Sequence, residues 1–236
     1  MGFAHHPAEP GTMFSSGHPA PGSGLPNPIG FMQSRDAGVT WEPISLQGEV
    51  DFHVMSVSAA EADVIYGLNA SGAAGLYRSM DGGRTWDRPL AAELQGRNVF
   101  ALAAGPEDAN SLLAGTSDGL WQSNDGGESW KQLIVGPPVT AAAFTPGDAA
   151  AVVIYIADGQ TGLVQIADLA GAPTSTRPLG LVLPPDDAVL HIALHPDQDR
   201  VMYAGSATAS LFRTSDGGQT WDKIASEGER LSGETP

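Results

Sequence analysis

Cysteine is absent from this 236-residue chain, so its six histidines and 27 carboxylates must carry any proton transfer or ion binding. Asp51 stands two residues before His53, which puts both on one face of an extended strand. His191 follows Asp186 and Asp187, and the segment it opens, HIALHPDQDRVMYAG, aligns without a gap with HVMSVSAAEADVIYG from His53. That alignment makes His53 and His191 a matched pair. His18 lies in HPAPGSGLPNP, and Arg97 in a polar link ahead of an apolar run. Imidazoles and carboxylates gathered at one mouth could bind a ligand or exchange protons with it. The expected ligand-binding set is therefore His18, Asp51, His53, Arg97, Asp187 and His191. His6 and His195 precede proline and, with neighbouring His5, read as turn residues.

Other chemistries lack their residues. Each DGG loop offers essentially one carboxylate, too few for a calcium loop, and no metal ligands are spaced within one element. No glycine loop leads into a helix to hold phosphate, and no GxSxG elbow occurs. No metal or cofactor is expected. A glycosidase needs two carboxylates about 5–9.5 Å apart across a sugar. Asp51 and Asp187 are the best such pair, and neither carries a catalytic signature.

The elements that must position these residues come from a repeat. SRDAGVTW (34–41), SMDGGRTW (79–86), SNDGGESW (123–130) and TSDGGQTW (214–221) are near copies. Asp36, Asp81, Asp125 and Asp216 are 45, 44 and 91 residues apart, and a decayed copy near Asp168 fits the double gap. Each unit reads as strand, turn, strand, loop, strand, motif, strand, from short apolar runs punctuated by Gly, Pro and Asp. Five such units predict an all-β fold, a β-propeller of four-stranded antiparallel blades. It is read as one domain over 1–226 followed by a loose polar tail, 227–236. Either five blades close directly, or they belong to a six- or seven-bladed ring whose beginning lies upstream; the second reading is preferred.

Within the motif the Asp accepts hydrogen bonds from its own loop, the glycine supplies positive φ, and Trp41, Trp86, Trp130 and Trp221 anchor the hairpin. Met32, Tyr77, Trp121 and Phe212, two residues before each Ser/Thr, are expected in the core. In this topology the loops between second and third strands share the ligand end with the inter-blade links. There blade one is the outlier: Gly17 to Ser34 spans 17 positions, against 8 for Gly115 to Ser123. A long Pro- and Gly-rich loop is a candidate binding element.

These motifs resemble the BNR or Asp-box repeat, Ser-x-Asp-x-Gly-x-Thr-Trp, of sialidases, sortilin-like receptors, some xyloglucan-cleaving glycosidases and photosystem II assembly factors. SGHP and DFH together with the repeats look like bacterial BNR-repeat glycosyl hydrolase-type proteins. The resemblance implies the propeller fold, Asp boxes remote from any active site, and a periplasmic or extracellular setting, although no signal peptide is visible. It does not extend to sialidase chemistry. The Phe/Tyr-Arg-Ile-Pro motif is missing, and Arg35, Arg84, Arg78 and Arg213 fall in motifs or third strands.

Eleven basic against 27 acidic residues give a formal charge of −16, which disfavours nucleic acid and anionic membrane surfaces. The apolar run Ala149–Ala157 is too short to span a bilayer as a helix. The reading is a non-catalytic binding or assembly propeller with a protein or carbohydrate ligand at the channel mouth. A non-sialidase glycoside hydrolase is the alternative.

Overall fold

A computed structural model of the chain describes residues 2–70, 72–146, 148–169 and 176–231. They form five successive antiparallel sheets, the blades of a β-propeller, with one short 3-10 turn at Ala92–Leu94. Blade one comprises β1 (Gly2–His5), β2 (Met13–Ser16), β3 (Phe31–Ser34) and β4 (Glu42–Ser45). Blade two comprises β5 (Phe52–Val57), β6 (Ile65–Asn69) and β7 (Gly75–Ser79). Blade three runs through β8 (Val99–Ala104), β9 (Leu112–Thr116), β10 (Gly119–Ser123) and β11 (Lys131–Val135). Blade four holds β12 (Val139–Thr145), β13 (Asp148–Ile156), β14 (Gly162–Ile166) and β15 (Thr176–Pro178). Blade five holds β16 (Val189–Leu194), β17 (Met202–Ser206), β18 (Leu211–Thr214), β19 (Asp222–Ser226) and β20 (Glu229–Arg230).

Two blades depart from four strands, each for a local reason. In blade two, Asp87 exchanges both backbone hydrogen bonds with Arg78, at 2.9 and 3.0 Å, and pairing stops there. Pro89, two residues on, has no N–H to continue the ladder. In blade five, β20 folds back on β19, Ala225 opposite Arg230, across a turn at Glu227 and Gly228. A loose tail was expected from 227; the hairpin occupies its start, and 232–236 lie outside the described residues. The decayed motif near Asp168 likewise runs into residues 170–175, outside the described set.

The chain packs as two compact units. The first comprises Met1–Gln95, Ala103–Leu112 and Ser123–Trp130; the second comprises Gly96–Leu102, Leu113–Gln122 and Lys131–Pro236. The core of the first is a run of aromatic contacts. Phe14 stacks on Phe31 at 5.3 Å, Phe31 meets the edge of Trp86 at 5.2 Å, and Phe52 joins Trp86 to Tyr77 at 5.0 and 5.5 Å. The second core is largely aliphatic, with Tyr155 among Val153, Leu163, Leu179, Leu181, Val189 and Met202. Val152–Ile156 of β13 are all buried, as a continuous apolar strand requires.

Four hairpins repeat one hydrogen-bond set. Ser34 Oγ donates to Asp36 Oδ1 at 2.8 Å and accepts the Gly38 N–H at 2.8 Å. Asp36 then accepts the Thr40 N–H at 2.8 Å and the Thr40 hydroxyl at 2.6 Å. Ser79/Asp81, Ser123/Asp125 and Thr214/Asp216 repeat the pattern. The indoles of Trp41, Trp86 and Trp130 donate to the glycine carbonyl three residues earlier, whereas Trp221 donates to Leu179. Met32, Tyr77 and Trp121 are buried and Phe212 is half-buried.

Strand register corrects one sequence alignment. Ile65 lies opposite Ser79 in blade two, and Met202 opposite Thr214 in blade five, so Ile65 and Met202 are equivalent. Val54 opposite Leu68 then matches His191 opposite Gly205. His53 is the extra residue of a β-bulge between Phe52 and Val54, and its counterpart is Leu190. The gapless alignment that paired His53 with His191 is one residue out of register. The same bulge recurs between Val189 and His191, so the correct correspondence is also gapless, and only pairing across the strands distinguishes the two.

Candidate functional site

The best-formed polar cluster lies in the first unit, where blades one and two meet. Ser16, the last residue of β2, accepts the Phe52 N–H at 3.0 Å and so sets the start of β5 beside the start of the long loop. Asp51 is held by its backbone: its N–H donates to Asn69 Oδ1 at 2.9 Å, and its carbonyl accepts from Ala70. The bulge at His53 turns that imidazole back toward the preceding residues. His53 Nε2 lies 2.9 Å from Asp51 Oδ2, and His18 Nε2 lies 3.1 Å from the same oxygen. The Asp51 side chain is 4% exposed, whereas those of His18 and His53 are 60% and 53% exposed. A buried carboxylate thus sits beneath two half-solvated rings.

The second carboxylate oxygen, Oδ1, is buried without a hydrogen-bond partner among the described residues. His18 Nδ1 lies 2.7 Å from Asn27 Oδ1, across the base of its own loop. Asn27 and Asn69 escape a sequence reading. Their types are ordinary for loop and strand ends, and their roles exist only once β2, β5 and β6 are adjacent.

The remaining expected residues belong to the second unit. Arg97 pairs with Asp118, and its guanidinium stacks over the Trp121 ring at 4.5 Å. The Trp121 indole N–H is buried without a partner among the described residues. Asp187 accepts the Thr208 hydroxyl at 2.9 Å and the N–H groups of Thr208 and Ala188 at 3.1 and 2.9 Å. Burial pushes its carboxyl upward, but hydrogen bonds from Thr208, Ser206 and Ala188 outweigh it and hold the group below the ordinary carboxylate range. Asp187 is thus an ionised turn-former. His191 stands exposed on β16 opposite Gly205. His6 and His195 cap turns, each Nδ1 accepting a backbone N–H two residues on, at 3.2 and 3.1 Å.

Among the described residues no group of three His, Asp or Glu side chains is arranged to hold a metal ion. In the trio at Asp51 both imidazole Nε2 atoms are engaged with Asp51 Oδ2. A separate, mainly apolar cavity of about 370 Å³ in the first unit is lined by Leu68, Leu76, Arg88, Pro89, Leu90 and Leu94. No described helix is long and apolar enough to cross a membrane.

Comparison with known proteins bears on the fold. No protein-family model matches the chain, and no curated protein does. Among solved structures, the GH74 enzyme of Niastella koreensis superposes with a TM-score of 0.62 at 13% identity, over 95% of this chain and 45% of that one. The GH74 xyloglucanase of Xanthomonas campestris gives 0.54 at 19% identity, again over 95% and 45%. YCF48 from Cyanidioschyzon merolae gives 0.50 at 18% identity, over 94% of this chain and 84% of that one. The chain spans less than half the length of either GH74 protein. Identities this low establish likeness of fold alone.

Proposed function

We propose that this chain is a non-catalytic binding or assembly propeller of the BNR/Asp-box type. Its ligand, a protein or a carbohydrate, docks at the blade end that carries loop 17–30. One observation carries the reading: His18 from the long loop and His53 from the β5 bulge converge on one oxygen of the buried Asp51 carboxylate in the blade link. Such a cluster is a rigid, half-exposed recognition point whose hydrogen-bonding groups are preorganised. Arg97, Asp187 and His191 are further candidate ligand contacts, in the second unit. On this reading residues 1–226 form one propeller domain.

The hydrolase alternative draws less support. Its second carboxylate, Asp187, is ionised and its oxygens are engaged by Thr208, so it is a poor proton donor. Fold likeness to GH74 enzymes transfers no chemistry at these identities.

The test is a thermal-shift and calorimetric screen against glycan and peptide panels, with His18→Ala/His53→Ala as the control. A bound ligand at 100 times Kd stabilises by about 2.7 kcal/mol. The double variant is expected to lose that shift; because it leaves the Asp51 carboxylate buried and unpaired, its unliganded melt is lower, and the shift is read against that variant's own baseline. An unchanged ligand affinity in the variant sinks the assignment, and turnover of a bound glycan replaces it with the hydrolase.

A further inference from the structure

Blade two stops at three strands, and blade three shows what a fourth strand does at the same place. Aligning their motifs sets Gly75, Leu76 and Arg78 beside Gly119, Leu120 and Gln122, and Asp87, Arg88 and Leu90 beside Lys131, Gln132 and Ile134. The match holds in detail. Gly75 and Gly119 have φ of +134° and +133°, and Arg78 faces Asp87 as Gln122 faces Lys131. The side chains of Arg88 and Gln132 donate to the equivalent carbonyls of Ala74 and Asp118, at 3.0 and 2.8 Å. In blade three the strand then continues: Ile134 lies opposite Leu120, Val135 lies opposite Gly119, and Gly136 donates to the Asp118 carbonyl at 3.1 Å.

In blade two the chain leaves instead. Leu90 gives its N–H to Glu128 at 3.1 Å, Ala91 turns to φ +42°, and the 3-10 turn Ala92–Leu94 follows. The outer edge of β7 is left open at Leu76. Arg78 exchanges both main-chain hydrogen bonds with Asp87, and antiparallel alternation turns the N–H and C=O of Leu76 to that same side. Neither group has a partner among the described residues, although Leu76 is only 2% exposed. Buried main-chain groups are nearly always paired. Next to them is the cavity of about 370 Å³, lined by Leu68 and Leu76 of the sheet and by Leu90 and Leu94 of the departing chain. Arg88 lines it too. Its guanidinium is 5.1 Å from the Tyr77 ring centroid, and no carboxylate is within ion-pair distance of it among the described residues.

We propose that the open edge of β7 binds an extended peptide segment, which completes blade two as its fourth strand. The segment runs antiparallel to β7, in the register that Ile134–Gly136 takes in blade three. Its first residue lies opposite Leu76 and exchanges both main-chain hydrogen bonds with it. An aliphatic side chain there shares the face of Leu76 and of Leu68, which is opposite Leu76 on β6, and so enters the cavity. The next residue lies opposite Gly75, on the other face, where Tyr77 and Arg88 stand. A carboxylate at that position pairs with the Arg88 guanidinium. The N–H of the third residue reaches the Ala74 carbonyl. The partner is therefore a strand with an aliphatic–acidic pair, since one main-chain donor and one acceptor on a single edge residue call for a peptide rather than an alkyl chain. The site shares no residue with the Asp51 trio and does not rest on the function proposed above.

The test is an NMR titration of the full chain with the tetrapeptide Ile-Asp-Gly-Thr, blocked at both ends, and with versions carrying serine for isoleucine or lysine for aspartate. The first peptide should shift the amides of Gly75, Leu76 and Leu90 and slow hydrogen exchange at Leu76. The serine version should bind about tenfold more weakly or worse, for loss of the buried side chain. The lysine version should bind up to about fivefold more weakly, as befits an exposed ion pair. In Arg88→Glu the lysine peptide should become the better ligand of the two charged versions, with the remaining spectrum unchanged to show the fold intact. Binding should persist in His18→Ala/His53→Ala; its loss there would place the peptide at the Asp51 trio and overturn the edge site. A Leu76 amide that responds to none of the peptides overturns it, as does equal affinity for the isoleucine and serine versions. Leu76 shifts that depend on protein concentration without peptide would give the edge to a second copy of the chain and overturn the peptide assignment.

Discussion

Asp51 is costly to bury and costly to remove. Its carboxylate is almost wholly withdrawn from water, and its two hydrogen-bonding partners are imidazoles. Hydrogen bonds to a charged group contribute about 1.5–3 kcal/mol. Asp51→Ala is expected to lose that much in urea unfolding, while His191→Ala on the exposed face of β16 changes stability by less than about 0.5 kcal/mol. Equal losses in the two variants would mean that the trio contributes nothing special to the fold. At this scale the sequence discloses part of the site. Asp51 and His53 are neighbours by spacing, and the length of loop 17–30 singles out His18. The partners Asn27, Asn69, Asp118 and Trp121 are not legible, because nothing local distinguishes them from other polar or core residues. Contact between them arises only when separate strands are brought into register.

The repeated hairpins act as units. The Thr40 hydroxyl and N–H, with Ser34, hold the Asp36 carboxyl down at about 2, and Thr85 does the same for Asp81. Asp125 and Asp216 are lowered by the same contacts. An unfolded aspartate titrates near 3.9. The folded state therefore holds these protons less tightly, and the hairpins' contribution is complete above pH about 4 and lost as pH falls toward 2. Melting temperature should drop through that window, and the drop should be shallower in Asp36→Asn/Asp81→Asn; parallel curves would refute the assignment. The second glycine of the motif separates packing from backbone effects. Gly38 and Gly83 both have φ of +85°, but an added Cβ at Gly83 would lie 2.1 Å from the Phe31 ring, whereas at Gly38 the nearest atom is 3.7 Å away. Gly38→Ala should cost about 1–2 kcal/mol from the left-handed backbone alone. Gly83→Ala should cost about 1–3 kcal/mol more from overpacking. Equal costs in chemical denaturation would contradict the close approach. The motif is legible because its hydrogen bonds close within seven residues. The one-residue misalignment of His53 with His191 shows the opposite case: two gapless alignments fit the local pattern, and only the pairing of strands distant in sequence selects one.

Over the whole molecule, the charge of −16 sets a background that no single contact corrects. Few of the acidic side chains have an ion-pair partner among the described residues, and those pairs involve Asp51, Asp87, Asp118 and Glu128. Self-repulsion on this scale destabilises the compact state and is screened within about 10 Å at 0.1 M salt. Raising sodium chloride from 10 mM to 0.5 M should therefore raise the melting temperature by about 2–4 °C, equivalent to about 1 kcal/mol; a fall would mean that specific ion pairs outweigh the net field. The all-β class, the five blades and the hairpin chemistry followed from the sequence alone, because a period of about 45 residues and the Ser-x-Asp-x-Gly motif are local and repeated. Tertiary structure alone decided which histidines share a carboxylate, that Asp187 is held by Thr208, and that blade two stops at three strands. Those outcomes depend on strand register and on distances between residues remote in sequence, and both are set by packing of the blades rather than by any one segment.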